Sequence, residues 1–352
     1  MGKGSAAGAG ILALSLRAVR SPLGVECIAE AHPFVGSARG RPLNMQSPEV
    51  SVILPTYNRL RFLPAAVDSV LGQTLQDWEL IIADDGSDSE TLAYLQTLER
   101  VARIRLMRLT HSGNPGAVRN AALSVARGKY VAFLDSDDLW MPTKLDFQVR
   151  ALRDSTDCRW SYTDHIRVDA AGNSINWQRN PSRTLPQGDI VEALLRLRAG
   201  TPTPTVMAER ALVEEAGGFD EQQGLHEDYD LWLRLALLSK VLVIAEPLSC
   251  VRRHDEHFSG GEVRNFEARL RIFAKIHRRV PSRVLRSERA RQAGGLARAY
   301  AAADDSAGVW GAVAGSWPYS WRYFHWYTAC ARAVLRISAP RRVLALVRQV
   351  RQ

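Results

Sequence analysis

Three carboxylates stand within four residues in the segment Asp135-Ser136-Asp137-Asp138, which directly follows the apolar run 130–134. Carboxylates this close repel one another, and a bound cation relieves that repulsion. Divalent cations such as Mg²⁺ prefer hard oxygen ligands and keep open positions that phosphate oxygens can fill. We therefore favour a site for a divalent cation and a diphosphate over the alternative, a solvated acidic turn.

A second acidic turn, residues 84–88 with the sequence DDGSD, follows another apolar run. A carboxylate there can accept a hydrogen bond from the imide N–H of uracil or from ribose hydroxyls, while Gly86 lets the backbone turn tightly. Residues 55–59, PTYNR, end the preceding apolar run and offer the ring of Tyr57 for stacking on a base. The alternative is a plain turn, for which Asp, Gly and Ser are suited in any case.

Residues 113–120, GNPGAVRN, combine a Gly-rich turn with the start of a predicted helix and with Arg119. The N-terminus of a helix attracts anions, so this segment could lie near phosphate groups. Its alternative is an ordinary loop that leads into a helix.

Alternating strands and helices must position these turns. Short β-branched runs predict strands at 50–54, 79–83, 104–109 and 129–134, and helical spacing occupies 60–71, 91–100 and 120–126 between them. This alternation predicts an α/β fold with a mostly parallel, doubly wound sheet. Ligands of such sheets bind beyond the carboxyl ends of the strands, which is where the acidic turns fall. Farther along, we expect strands at 159–168, 206–210 and 241–244, helices at 189–198 and 227–238, and mainly helices over 264–303.

Six segments in this order resemble the family 2 glycosyltransferases: PTYNR, DDGSD, GNPGAVRN, DSDD, then GGFDE at 217–221 and EDYDLWLR at 227–234. The resemblance covers roughly residues 49–257. It implies the GT-A fold, a nucleotide-diphospho-sugar transferase fold with a Rossmann-like, mostly parallel sheet, followed here by a helical C-terminal extension. It also implies an inverting, metal-dependent hexosyltransferase that uses Mg²⁺ or Mn²⁺.

The resemblance further implies roles for individual residues. Asp137 or Asp138 would be the direct metal ligand, and Asp228 would be the general base that deprotonates the acceptor hydroxyl. The alternative for Asp228 and its neighbour Glu227 is to complement a helix dipole, worth about 0.3–1 kcal/mol. The residues implied to bind the nucleotide and the donor are Pro55, Thr56, Tyr57, Asn58, Asp84, Asp85, Arg119, Asp135 and Ser136. The residues implied to contact or close over the diphosphate are Glu227, Arg252 and His254.

The chain divides into three predicted regions. Residues 1–48 are predicted to be a disordered or mis-called leader, with Met45 as the true start of translation. Residues 49–257 form the transferase domain, with a nucleotide-binding half at 49–145 and an acceptor half at 146–257. Residues 258–352 are predicted to be helical, basic and Trp-rich.

The basic charge lies at the two ends of the chain. The net charge is +9; with +3 on residues 1–44 and +7 on residues 306–352, the stretch between them is left with −1. This near-neutral middle argues against nucleic acid as a partner. The tail from Val309 mixes Trp and Tyr with Arg and carries no acidic residue, which favours interfacial contact with a membrane. Its alternatives are a Trp-rich helix packed on the domain and a dimer contact.

The sequence thus predicts transfer of a sugar from a nucleotide-diphosphate sugar, UDP-linked, to a saccharide or lipid-linked saccharide acceptor. Cell-envelope or extracellular polysaccharide assembly is the setting that the resemblance implies, in the cytoplasm and peripherally on the inner face of the cell membrane. One alternative is a catalytically silent partner subunit that binds nucleotide sugar. The intact acidic segments argue against this alternative, because a silent protein has no need of carboxylates that repel one another. Another is a sugar nucleotidyltransferase, but PTYNR lacks the glycines of a triphosphate-binding loop.

Overall fold

An eight-stranded sheet forms the centre of the computed structural model, which describes residues 19–20, 26–27, 47–175, 185–254, 261–280, 282–320 and 322–338. Its strands are β3 (Val50–Thr56), β4 (Trp78–Asp84), β5 (Ile104–Arg108), β6 (Tyr130–Phe133), β7 (Leu139–Trp140), β8 (Cys158–Val168), β9 (Val206–Glu209) and β10 (Lys240–Arg252). In the leader, β1 (Val19–Arg20) pairs antiparallel with β2 (Glu26–Cys27). The predictions of a disordered leader and of a start at Met45 stay predictions.

The strand order is β5-β4-β3-β6-β9-β8-β10-β7. Strand β3 pairs in parallel with both β4 and β6, β4 with β5, and β8 with β10. Strand β9 is antiparallel to both of its neighbours, and β7 is antiparallel to β10. The mostly parallel α/β sheet is confirmed. Strands β4 and β6 flank β3 on opposite sides, so the loops after all three meet at a topological switch point.

Helices cover both faces of the sheet, because the strand side chains alternate between two buried clusters. In β3, Val52 and Leu54 pack with Val67, whereas Ile53 packs on the other face with Val118. The helices of this part are α1 (Leu63–Leu71), α2 (Ser89–Leu98), α3 (Pro115–Leu123), α4 (Lys144–Asp154), α5 (Val191–Leu195), α6 (Arg210–Glu215) and α7 (Glu227–Ala236). A short 3₁₀ turn, Thr203–Thr205, precedes β9.

The predicted helical C-terminal extension is present as α8 (Gly261–Lys275), α9 (Ser282–Ala302), α10 (Ser306–Ser320) and α11 (Phe324–Ser338). Its core is a cluster of small and aromatic side chains around Trp326, which is almost fully buried against Ala293 and Ala297 of α9. Within the described ranges, no helix combines the length and the hydropathy needed to cross a bilayer. The predicted tail beyond residue 338 lies outside the described residues.

Candidate active site

A cleft of about 620 Å³ opens at the carboxyl ends of β3, β4 and β6, facing the first turn of α7. Three carboxylates that lie far apart in the sequence, Asp85, Asp137 and Asp228, share its wall. The other predicted site residues that line the cleft are Pro55, Thr56, Tyr57, Arg119, Asp135, Ser136 and Glu227. The predicted residues outside the lining are Asn58, Asp84, Asp138, Arg252 and His254.

One end of the cleft presents an aromatic pair. The rings of Tyr57 and His111 are stacked with centroids 4.1 Å apart and planes 19° apart, and both side chains remain partly exposed. Asp85 fixes the loop that carries His111: its Oδ1 accepts from the backbone N–H of Ser112 at 2.9 Å, and its Oδ2 accepts from that of Gly113 at 2.9 Å. A flat, half-exposed platform of this kind suits a nucleobase.

The turn after β4 needs its glycine. Gly86 has φ +77°, and a Cβ at this position would lie 3.0 Å from the backbone nitrogen of His111. Asn58 and Asp84 build the same turn instead of lining the cleft. Asn58 Oδ1 accepts from the backbone N–H of Asp88 at 2.8 Å, and Asp84 accepts from that of Ser87. The predicted donor-binding role of these two residues therefore has no support in their placement.

Arg119, on α3, joins two acidic segments from the floor of the cleft. Its guanidinium donates to Asp135 Oδ1 and to Glu227 Oε1, both at 2.7 Å. Only 6% of its side chain is exposed. Burial opposes the charge of Arg119, but the carboxylates of Asp135 and Glu227 raise its pKa above the ordinary value. Arg119 thereby fixes the start of α7 against the end of β6.

The DSDD turn separates its carboxylates. Asp138 is buried, and its Oδ1 accepts the backbone N–H of Arg252 at 2.7 Å. Burial, then the charges of Asp137 and Asp135, raise the pKa of Asp138 well above its usual range. Asp137 keeps its carboxylate at the cleft, where Oδ2 lies 2.8 Å from Nε2 of His254. Of the two predicted metal ligands, the placement favours Asp137 and leaves Asp138 as a buried support.

Arg252 and His254 act on this turn from β10 and the residues after it. Arg252 Nε donates to the carbonyl oxygen of Asp137 at 2.7 Å, and its guanidinium lies over the ring of Phe62. The ring of His254 also packs against Phe62, with centroids 4.8 Å apart. Their contacts hold Asp137 in place, so both residues support the acidic turn. The residues that follow, 255–260, lie outside the described ranges.

Asp228 occupies the first turn of α7. Its Oδ2 accepts from the hydroxyl of Thr203 at 3.0 Å, and its Oδ1 accepts from the backbone N–H of Tyr229. Burial first, and then the charge of Glu227, raise the pKa of Asp228 to about 6, while Arg119 acts in the opposite direction. A carboxylate with a pKa near neutrality can accept a proton efficiently at physiological pH.

The residues present fit a divalent cation only when a ligand completes its coordination. Among the described residues, no group of three or more His, Cys, Asp or Glu side chains is arranged to hold a metal ion by itself. Burial and the charge of Asp137 raise the pKa of Asp135 despite Arg119, so negative charge is crowded at this edge of the cleft. Mg²⁺-type sites of this kind use one or two carboxylates together with phosphate oxygens and water. Asp137 fits that role.

Eleven residues that line the cleft were not among the predicted site residues, and the polar ones are Arg59, His111, Thr203, His226, Arg253 and Asn265. Arg59 is the last residue of PTYNR, and Arg253 lies between Arg252 and His254, which were both predicted site residues. The sequence could therefore have indicated both arginines. His111 is two residues before the Gly-rich segment, and a ring beside a predicted base site was the available signal. Asn265 comes from α8, which shows that the C-terminal extension contributes to the cleft wall.

Comparison with known proteins agrees with this geometry. Residues 51–195 match the model of the family "Glycosyl transferase family 2". The chain is 33% identical over 194 residues to the glycosyltransferase TuaG of Bacillus subtilis (strain 168), named for teichuronic acid biosynthesis; the match covers 55% of this chain and 73% of that protein. It is also 33% identical over 187 residues to the Escherichia coli UDP-Glc:alpha-D-GlcNAc-diphosphoundecaprenol beta-1,3-glucosyltransferase WfgD, covering 53% of this chain and 69% of that protein.

A solved structure shares the fold: the mannosyltransferase PcManGT from Pyrobaculum calidifontis in complex with GDP-Man and Mn²⁺, with a TM-score of 0.54 and 18% identity, covering 84% of this chain and 88% of that chain. The chain spans about a third of the length of the first curated relatives that it matches. With the sequence matches and the sheet topology in agreement, the chain belongs to glycosyltransferase family 2 and has the GT-A fold.

Proposed function

We propose that this chain is an inverting, metal-dependent hexosyltransferase that moves a sugar from a UDP-linked donor to an acceptor hydroxyl. One observation carries the proposal: Asp85, Asp137 and Asp228 converge on a single cleft although more than 140 residues separate the first from the last. The three positions match three needs of the reaction, which are nucleoside binding, neutralisation of the diphosphate and removal of a proton.

At the nucleoside end, the Tyr57–His111 pair provides a surface on which the base stacks. Asp85 lines the same cleft and orders the loop that carries His111, and it would contact the base or the ribose. At the other end, Asp137 would hold Mg²⁺ or Mn²⁺ beside the diphosphate, with Asp135 as the adjoining carboxylate. When bound, the cation neutralises charge on the leaving nucleoside diphosphate. The complex of PcManGT with GDP-Man and Mn²⁺ supports this assignment of the cofactor.

Asp228 performs the proton transfer. The acceptor hydroxyl attacks C1 of the donor sugar on the face opposite the diphosphate while Asp228 takes its proton. The new C–O bond forms as the bond between C1 and the phosphate oxygen breaks, and the nucleoside diphosphate leaves with that electron pair. One in-line displacement of this kind inverts the anomeric centre. Arg119 supports the step indirectly, because its ion pair with Glu227 fixes the helix turn that carries Asp228.

A lipid-linked saccharide is the acceptor we propose, in the assembly of a cell-envelope or extracellular polysaccharide. The names of TuaG and WfgD support this choice, since one refers to teichuronic acid biosynthesis and the other to a diphosphoundecaprenol-linked sugar as acceptor. An acceptor of this class lies at a membrane surface, so the enzyme would work on the inner face of the cell membrane.

Exposed apolar side chains of α10 and α11 support such a membrane contact. Five large ones in these helices are exposed: Trp310, Trp317, Phe324, Tyr327 and Leu335. Phe324 is 81% exposed and Leu335 is 67% exposed, and they lie on one side of α11 because eleven residues make three helical turns. Residues 306–352 carry seven arginines and no acidic residue, which complements anionic lipid headgroups.

Flotation with vesicles tests the membrane contact. The purified full chain should float with phosphatidylglycerol vesicles more than with phosphatidylcholine vesicles, and deletion of residues 310–352 should abolish flotation. Leu335→Glu should weaken flotation, whereas Phe147→Glu, which alters another half-exposed side chain on α4, should leave it unchanged. Equal flotation of the full chain and the deletion variant would contradict the contact.

Donor hydrolysis and transfer test the activity. The protein with Mn²⁺ or Mg²⁺ and a panel of nucleotide sugars should release nucleoside diphosphate, and EDTA should stop the release. Asp228→Asn should lower transfer by about 10²–10⁴-fold while leaving donor binding intact. Asp88→Asn is the matched control, because Asp88 caps α2 outside the cleft and Asn is an equally good cap.

Three outcomes would refute the proposal. Transfer that persists in EDTA contradicts the metal-dependent mechanism. Donor binding without turnover for every sugar in the panel indicates a silent partner subunit. Pyrophosphate release from UTP and a sugar 1-phosphate indicates a nucleotidyltransferase.

A further inference from the structure

The 3₁₀ turn Thr203–Thr205 lies beside Asp228, and all three of its residues are buried. Two side chains from different strands donate to the carbonyl oxygen of Pro204: Trp140 Nε1 at 2.7 Å and Ser249 Oγ at 2.9 Å. A buried carbonyl that accepts two hydrogen bonds is firmly held, because releasing it would leave polar groups without partners. Hydrogen bonds therefore hold the turn to both β7 and β10.

A third donor comes from α4. Gln148 Nε2 donates to the carbonyl oxygen of Thr205 at 3.0 Å and lies 3.1 Å from Ser161 Oγ. The opposite end of the amide, Oε1, accepts from Nζ of Lys144 at 2.6 Å. Since an amide oxygen can only accept and an amide nitrogen can only donate, the lysine fixes which end of Gln148 faces the turn.

Lysine is an unusual residue for orienting a buried amide such as that of Gln148. Lys144 is fully buried, and its Nζ lies 4.1 Å from the centre of the Trp140 ring, whose own N–H holds Pro204. Burying an amino group is costly, and desolvation lowers the pKa of Lys144 well below its ordinary value. A buried lysine with one amide partner and one aromatic partner therefore needs an explanation beyond simple packing.

We infer that Lys144, Gln148, Trp140 and Ser249 form a positioning network that holds Thr203 so that its hydroxyl donates to Asp228. The inference rests on the proposed role of Asp228 as the general base. The Thr203 hydrogen bond selects one orientation of the carboxylate and favours its ionised form. Thr203 and the four network residues are positioning residues, because they act on the acceptor proton only through Asp228.

The first test removes the hydroxyl of Thr203. In Thr203→Val, the acid limb of the pH profile of kcat should move upward by roughly one pH unit, because the ionised carboxylate loses a donor. Thr203→Ser keeps the hydroxyl and should restore the profile of the unmodified protein. The KM for the donor should stay unchanged in both variants. A Thr203→Val profile identical to that of the unmodified protein would overturn the inference.

The second test asks whether the network acts through Thr203. Lys144→Met and Ser249→Ala should each move the acid limb in the same direction as Thr203→Val, but by a smaller amount. In a Thr203→Val background neither substitution should move it further, because the hydrogen bond that they support is already gone. If Lys144→Met does not fold, Ser249→Ala alone tests the network, since this substitution removes only one oxygen atom. Additive shifts in the double variants would indicate an effect that does not pass through Thr203.

These outcomes separate the inference from the proposed function. If Asp228→Asn keeps full transfer activity, Asp228 is not the base and the proposed function itself is wrong. If Asp228→Asn is inactive but the Thr203 and Lys144 variants keep the original pH profile, the base assignment stands and only the network is refuted.

Discussion

Asp228→Asn should make the protein more stable while it removes activity. In the folded chain the pKa of Asp228 is about 6, against an ordinary value of 3.8. Between these two values the folded state binds more protons than the unfolded state, so the free energy of unfolding falls as the pH rises from about 4 to 6. Above about pH 6 the free energy of unfolding has fallen by the full amount, because Asp228 is then ionised in both states.

The magnitude follows from the size of that shift. A difference of about two pKa units corresponds to roughly 3 kcal/mol of stability that ionised Asp228 costs at pH 7.5. Asparagine carries no charge but offers one acceptor oxygen in place of two. It therefore loses one of the hydrogen bonds from Thr203 and Tyr229, worth about 1 kcal/mol. The net gain should be about 1–2 kcal/mol, which raises Tm by about 1–3 °C in a chain of this length.

Thermal unfolding from pH 4 to pH 8 is the assay, in buffer with EDTA and without nucleotide. The gain of Asp228→Asn over the unmodified protein should be full at pH 7.5 and absent at pH 4, where Asp228 is protonated in the folded state. Asp88→Asn, the control on α2, should not show a gain that grows with pH. A lower Tm for Asp228→Asn at pH 7.5, or a gain that is equal at all pH values, would refute the electrostatic reasoning.

Three further substitutions test other parts of the molecule. His111→Ala removes half of the stacking platform on Tyr57 and should raise the KM for the donor about tenfold with little change in kcat, as steady-state kinetics would show. Arg119→Met leaves two carboxylates without their buried cation and should lower the free energy of unfolding by about 3–5 kcal/mol in urea titrations. Trp326→Ala should cost about 3–5 kcal/mol in the same titrations, whereas the half-exposed Trp317→Ala should cost much less.

The carboxyl-end turns were predictable because two simple patterns coincide. Apolar β-branched runs mark buried strands, and the acidic clusters follow them directly, as after β4 and β6. Helix α4 could also have been predicted from the sequence, because Leu145, Val149 and Leu152 have helical spacing; all three are buried. Strand β7, with two residues, is too short to produce any periodic pattern.

Other features depend on tertiary contacts that no local pattern encodes. Asp137 and Asp138 are adjacent and chemically identical, yet one faces the cleft and the other accepts the backbone N–H of Arg252. That difference arises from β10, more than a hundred residues away. Thr203 is likewise 25 residues from Asp228 and lies in a proline-rich turn, where a hydroxyl has no distinguishing neighbours.

Strand β9 has a consequence for how the enzyme can move. It pairs with β6 on one side and with β8 on the other, so a continuous ladder of hydrogen bonds joins the two predicted halves of the transferase domain, 49–145 and 146–257. A hinge motion between these halves would break the hydrogen bonds between β6 and β9. We therefore expect loops and single side chains at the rim, rather than a hinge within the sheet, to control access to the cleft.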